Sequence, residues 1–176
     1  MRVEVLKADI TSLDVEAIVN AANPQLAGGG GVDGAIHAAG GASILAECQK
    51  IIAKIGKLEA GGAKITTSGL LKCKNVIHTV GPIWRGGGFG EAEKLRNCYL
   101  NSLALAVEKG LKSLAFPNIS TGVYGYPKPL AVDVAVEAVL EFTRQNRGEL
   151  EKILFVCYDE ENLKLYRQKL KKIGVI

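Results

Sequence analysis

Between Asn20 and Gly41 the chain reads NAANPQLAGGGGVDGAIHAAGG, with four consecutive glycines set between a strand-like and a helix-like segment. Glycine loses more backbone entropy on folding than any other residue and adds no packing, so such a run demands a compensating use. Close approach of the backbone to a ligand is that use. Without Cβ atoms, the amides of Gly29, Gly30 and Gly31 can turn inward together at the start of the next helix and form an anion-binding concavity. A single carboxylate, Asp33, stands at its edge. A flexible linker is the competing reading, but linkers are polar and serine-rich, whereas this run leads into the alanine-rich Val32 to Ala39. The spacing Gly29, Gly31, Gly34 also satisfies GxGxxG. That fingerprint requires a strand immediately before it and an acid about twenty residues on. Here Asn23 to Ala27 intervene, and no strand-ending acid lies around Lys54.

Apolar, strand-like runs occur at Arg2 to Lys7, Ala17 to Asn20, Ala63 to Thr67, Asn75 to Val80, Ser113 to Pro117 and Glu151 to Tyr158. Helical patterns lie at Val32 to Ala39, Ser43 to Ile55, Glu91 to Lys109 and Pro129 to Gln145, and Asp159 can cap a last helix ending at Lys172. Strand and helix alternate, and ILFVC at Ile153 to Cys157 is apolar on consecutive residues, as in a strand buried on both faces. The pattern predicts an α/β chain with a mainly parallel sheet covered on both sides.

Ligands of such sheets bind where the carboxyl ends of strands run into helix amino termini. Asn20 to Asp33, the segment NISTGVYGYPKP from Asn118 to Pro129, and the exit after Tyr158 all fall there. The second of these offers amides around Gly122 and Gly125, hydroxyls at Ser120 and Thr121, and the rings of Tyr124 and Tyr126. Alone it reads equally as a second anion cradle or as a tight turn with Tyr126 stacked on Pro127. Two glycine-bearing loops at one sheet edge can clasp a diphosphate from both sides, so a ligand with two phosphates and flanking sugars is expected. RGGGFG, Arg85 to Gly90, reads as a flexible exposed turn before a helix.

At 176 residues the chain fits a single domain, 1–176, able to bury a substantial core. No apolar run approaches the roughly 18 residues of a membrane span, and the start MRVEVLKADI lacks the apolar stretch of a signal peptide, so a soluble, cytoplasmic protein is expected. Four scattered cysteines without a CxxC pair, and two histidines, His37 and His78, give no sequence spacing for zinc. Each cysteine reads as a small buried hydrophobe, and each histidine as structural. The mild net charge of +4, dispersed lysines and 6% aromatic content argue against a nucleic-acid surface and are compatible with a small anionic ligand.

Four motifs, ADIT at Ala8 to Thr11, the Asn20 to Gly41 segment, VIHTVGP at Val76 to Pro82, and FPNISTGVYGYP at Phe116 to Pro127, occur in an order and spacing that resemble the macrodomain family over the full chain. The resemblance implies a three-layer α/β/α sandwich with a central mixed, mainly parallel six-stranded sheet that binds ADP-ribose. It implies that Asp9 accepts a hydrogen bond from the adenine amino group, with the Ile10 amide nearby. Gly30, Gly31 and Val32 would line one side of the diphosphate, and Ser120, Thr121, Gly122, Val123 and Tyr124 the other. Asn20 would help hold the distal ribose. Tyr158 would stack on adenine, although a strand-end core tyrosine reads as well. Ala8 stands where the family commonly has glycine.

GGGGVDGAIH resembles the hydrolase branch in which an acid follows Gly-Gly-Gly-Val. That implies catalytic roles for Asp33, which would orient or deprotonate a water, and for Asn23, whose amide would fix the ribose hydroxyls. In this family the substrate's own phosphate also takes part in positioning the water. The implied activity removes mono-ADP-ribose from acidic side chains and acetate from O-acetyl-ADP-ribose, without a metal or other cofactor. The partners would be ADP-ribosylated proteins or O-acetyl-ADP-ribose, with no membrane. Asp33 could instead serve only the helix dipole, leaving a non-catalytic ADP-ribose-binding module as the alternative. Binding of RNA or poly(A) through the adenine site is a more distant one, against which the dispersed charge argues.

Overall fold

The computed structural model describes residues 1–176. Strands β1 (Arg2–Lys7), β2 (Ala17–Ala22), β3 (Ala63–Thr67), β4 (Asn75–Val80), β5 (Ser113–Phe116) and β6 (Lys152–Cys157) form one sheet in the order β1-β6-β5-β2-β4-β3. Only β3 runs antiparallel to its neighbour, and every other pairing is parallel. The helices are α1 (Gly31–Gly40), α2 (Ala42–Ile55), α3 (Glu91–Glu108), α4 (Lys128–Gln145) and α5 (Glu160–Lys172).

Alternation along the strands divides the interior in two. Val19, Ile77, Leu114, Phe116, Ile153 and Phe155 join the larger core with α3, α4 and α5. Their neighbours Ile18, Val76, Ala115, Leu154 and Val156 join a second core with Ile36 of α1 and Ile44 and Cys48 of α2. The sheet therefore lies between two helical layers, which is the expected three-layer sandwich with a mixed, mainly parallel sheet. Burial of both faces is what made ILFVC continuously apolar.

Local signals set the boundaries. Asp159 caps α5 by accepting from the Asn162 amide at 2.7 Å. Lys169, Lys171 and Lys172 in its last turn complement the helix dipole. Strand β2 continues two residues beyond its expected end at Asn20, because Asn20 pairs with His78 and Ala22 with Val80 across the parallel ladder. A buried, hydrogen-bonded asparagine broke the apolar pattern without ending the strand. No helix is long and apolar enough to cross a membrane.

Candidate active site at the carboxyl edge of the sheet

Strands β1, β6, β5, β2 and β4 are parallel and adjacent, so their carboxyl ends share one edge. Along that edge stand, in order, Asp9 after β1, Tyr158 after β6, the Asn118 to Tyr126 loop after β5, the glycine loop after β2, and Arg85 to Gly90 after β4. Neighbouring strands lie about 4.8 Å apart, so the span from β1 to β2 is roughly 14 Å. The order places a carboxylate and an aromatic at one end, two glycine-bearing loops in the middle and Asp33 at the far end.

The glycine loop leaves its amides unspent. Those of Gly29, Gly30, Gly31 and Val32 donate to nothing in the chain, whereas Ala27 N is taken by Asn23 Oδ1 at 3.1 Å. Gly31 adopts φ +58°, in the left-handed region where a side chain would be strained. Gly34 is required for a different reason: a Cβ there would run into the Gly29 carbonyl oxygen, so the loop lies directly on the first turn of α1. Free amides and the amino end of a helix together make an anion site. Asn23 braces this loop from both ends of its amide, since Nδ2 also donates to the Gly28 carbonyl at 2.9 Å. One N–H of Asn23 remains for a ligand.

Asp33, in the first turn of α1, is only 6% exposed. Its Oδ1 accepts from Asn20 Nδ2 at 2.8 Å and lies 3.3 Å from His37 Nε2. Its Oδ2 has no hydrogen bond in the chain and faces Gly29, 3.5 Å from where a Cβ of that residue would stand. Asn20, expected at the distal ribose, lies near the end of β2 beside Asp33. It is fully buried, and its two amide hydrogens face Asp33 Oδ1 and His78 Nδ1, the latter at 3.1 Å. It sits behind Asp33.

Behind Asn20, burial and then the neighbouring His37 push the His78 imidazole down to about 3, so the ring is neutral at ordinary pH. His78 Nε2 lies 2.8 Å from Thr66 Oγ1 and 3.7 Å from Cys48 Sγ. Burial, with Asp33 and Glu47, pushes the Cys48 thiol up to about 11. His37, Cys48 and His78 thus bring donor atoms within 4.8 Å of one another, a grouping their sequence spacing did not reveal. Both nitrogens of His78 are committed to hydrogen bonds, so the cluster is held as a polar core.

The loop after β5 is equally open. The amides of Ser120, Thr121, Gly122, Val123 and Tyr124 find no acceptor in the chain, while Gly125 N and Tyr126 N close it onto the Gly122 and Ser120 carbonyls. Ser120 adopts φ +66°, a costly conformation for serine that turns the loop, and its Oγ is buried without a partner against Gly81. Val123 is fully exposed at the tip. Tyr126 packs on Trp84, with ring centroids 4.7 Å apart, and Trp84 N donates to the Tyr124 carbonyl at 2.8 Å. The loop is thereby tied to the segment after β4.

That segment is not the flexible turn its glycines suggest. Glu91, 1% exposed, accepts from the amides of Arg85 at 2.9 Å, Gly87 at 2.8 Å and Phe89 at 2.6 Å. Burial opposes its ionisation, but these amides outweigh burial and hold the carboxyl at about 2. Glu91 at the start of α3 was invisible as a loop clamp because in sequence it is one acid at a helix start among many.

At the other end, Asp9 Oδ1 accepts from Thr11 N at 2.9 Å and Thr11 Oγ1 at 2.7 Å, capping a 3-10 turn over Ile10–Ser12. The hydroxyl and then the amide of Thr11 hold the Asp9 carboxyl below the usual range. Its Oδ2 is free, and so is the Ile10 amide. Tyr158 is 91% exposed, which removes the core-tyrosine reading and leaves a ring face open to solvent.

Residues 19–135 match the Macro domain family. Among curated proteins, the chain is 55% identical over 169 residues to a Macro domain-containing protein of Listeria monocytogenes, covering 96% of each. It is 53% identical over 173 residues to the O-acetyl-ADP-ribose deacetylase of Citrobacter rodentium, covering 98% of this chain and 97% of that protein. Among solved structures, a mutant macrodomain of Oceanobacillus iheyensis with ADPR superposes with a TM-score of 0.91 at 41% identity, over 97% of this chain and 92% of that one. The Trypanosoma brucei macrodomain in complex with ADP-ribose gives 0.87 at 37% identity, over 96% and 69%. The chain belongs to the Macro domain family.

Proposed function

We propose that this protein binds ADP-ribose and hydrolyses its esters, removing mono-ADP-ribose from acidic side chains and acetate from O-acetyl-ADP-ribose. Asp33 carries the reading. One of its oxygens is tied down, and the other is unpartnered beside a row of free amides. A pure binding loop has no use for a nearly buried carboxylate so close to a phosphate cradle, because the two negative charges repel. Relatives at about half identity include several O-acetyl-ADP-ribose deacetylases, which supports the same reading.

In the proposed complex adenine lies between Asp9 Oδ2, the Ile10 amide and the Tyr158 ring, whose carboxylate, donor and apolar face suit its amino group, ring nitrogen and π face. The diphosphate takes the amides of Gly30, Gly31 and Val32 on one side and of Ser120 to Tyr124 on the other. The distal ribose then meets the remaining N–H of Asn23 and Asp33 Oδ2. A water held there by Asp33 attacks the acyl carbon while its proton passes to the carboxylate. The tetrahedral intermediate collapses, the ribose oxygen leaves with a proton, and a carboxylic acid and ADP-ribose result. A carboxylate is a weak base, so orientation of the water supplies much of the effect.

Residues 1–176 are taken as one macrodomain. Its partners are ADP-ribosylated proteins or O-acetyl-ADP-ribose. Four unpaired, buried cysteines suit the reducing cytoplasm in which it is proposed to act. The test is direct: incubate the protein with O-acetyl-ADP-ribose, and separately with a protein ADP-ribosylated on glutamate, and follow acetate and ADP-ribose release by mass spectrometry. Release from either substrate supports hydrolysis. Binding of ADP-ribose without release from both leaves a reader module.

A further inference from the structure

We propose that Asn20 and His78 are positioning residues for Asp33: His78 accepts at Nδ1 from the Asn20 amide, and this fixes the amide so that its other hydrogen holds Asp33 Oδ1, leaving Oδ2 as the working oxygen. Three strands and a helix build the device. Asn20 comes from β2, His78 from its partner position on β4, Thr66 from β3, and Asp33 from α1.

The direction of every hydrogen bond follows from donor counting. An ionised Asp33 is an acceptor only, so the Asn20 atom 2.8 Å from it must be the nitrogen. That nitrogen's second hydrogen points to His78 Nδ1 at 3.1 Å, which must therefore be unprotonated. A neutral imidazole then carries its proton on Nε2 and donates to Thr66 Oγ1 at 2.8 Å. Thr66 passes its own hydrogen to the Thr67 carbonyl at 2.9 Å. Hydrogen bonds thus run outward from the Asn20 amide, on one side through His78 and Thr66 to a backbone carbonyl in β3 and on the other directly to the carboxylate.

Asn20 Oδ1 is buried and has no partner in the chain, so nothing competes with the two acceptors in orienting the amide. If His78 carried its proton on Nδ1, Asn20 would have to present Oδ1 to it and to Asp33, setting two acceptors against each other. The tautomer of a histidine in β4 therefore decides which way a carboxylate in α1 is held. The other groups facing His78 are His37 and Asp33 from α1, and Cys48 with Glu47 beyond it from α2.

Two variants separate positioning from mere packing. The amide oxygen of asparagine can stand where Nδ1 stands, whereas the terminal amide of glutamine reaches the place of Nε2. His78→Asn keeps the acceptor for Asn20, and His78→Gln keeps only the link to Thr66. With O-acetyl-ADP-ribose as substrate, kcat is expected to stay within about threefold of the unmodified protein for His78→Asn and to fall about tenfold or more for His78→Gln, the worth of one hydrogen bond. Calorimetry with free ADP-ribose should give an unchanged Kd for both. Equal losses in the two variants overturn the proposal.

The turnover arm rests on the hydrolase reading, so a second measurement stands apart from it. Long-range nitrogen–proton correlation NMR of the unmodified protein should report a protonated Nε2 and a bare Nδ1 on His78. A protonated Nδ1 overturns the positioning role whatever the activity. Absence of turnover in the unmodified protein, with the expected tautomer, overturns the hydrolase reading and leaves the arrangement of Asp33 standing.

Discussion

Burial of a neutral His78 makes stability depend on pH in a calculable way. The unfolded chain carries a histidine near the ordinary 6.5, while the folded ring is held at about 3. As pH falls below 6.5 the unfolded state gains a proton the folded state refuses, so stability is lost from there down to about 3 and is not lost above 6.5. Each unit is worth about 1.4 kcal/mol, so the roughly 1.5 units between 6.5 and pH 5 cost about 2 kcal/mol. For a domain of this size that lowers the melting temperature by about 4 to 8 °C. The window is clean because the ordinary carboxylate values of 3.8 and 4.5 lie below it and only two histidines are present. Urea unfolding of the unmodified protein and of His78→Asn at pH 8 and pH 5 isolates the effect as a difference of differences. His78→Asn should lose about 2 kcal/mol less across that interval, whatever its stability at pH 8. Parallel losses in the two proteins would refute a His78 held neutral by burial.

Three further perturbations probe the edge of the sheet. Gly34→Ala gains about 1 kcal/mol of helix propensity but drives a Cβ into the Gly29 carbonyl, at a cost of about 1–3 kcal/mol. ADP-ribose affinity by calorimetry should drop more than thermal stability does, since the displaced atoms carry the free amides. Asp9→Asn replaces a free acceptor by a donor, so affinity for ADP-ribose should fall about tenfold. The analogue with a 6-oxo group in place of the adenine amino group should then be preferred. Glu91→Ala strips three amides of their acceptor, so the melting temperature should fall, and at temperatures well below it trypsin should cleave after Arg85 far faster than in the unmodified protein.

Most of the layer architecture was legible because it rests on local signals. Strand runs such as Asn75–Val80, the helix at Glu91 and the Asp159 cap depend on neighbours within a few residues. The sheet order was not, since pairing of β1 with β6 and reversal of β3 are contacts between distant segments. The glycine loop announced itself by composition, and Gly31 at positive φ and Gly34 against Gly29 are the reasons for that composition. The burial of Asn20 was not legible, because a polar residue at the end of an apolar run carries no local sign of its partners. Here two distant acceptors, Asp33 and His78, make its burial affordable. Tyr158 carried two readings because strand-end tyrosines occupy either environment, and only its exposure separates them. The Glu91 clamp, the packing of Tyr126 on Trp84, and the meeting of His37, Cys48 and His78 are all tertiary events that no local pattern records.

Asp33 is proposed to act on the reacting centre and not merely on the fold of the phosphate loop. Steady-state turnover of O-acetyl-ADP-ribose by Asp33→Ala, paired with calorimetric titration of free ADP-ribose into the same preparation, tests it. The expected result is a kcat lowered by about a hundredfold or more, with a Kd for ADP-ribose within about threefold of the unmodified protein, because the diphosphate amides do not depend on that carboxylate. A variant that retains kcat, or one whose loss of turnover is matched by an equal loss of ADP-ribose affinity, would contradict it.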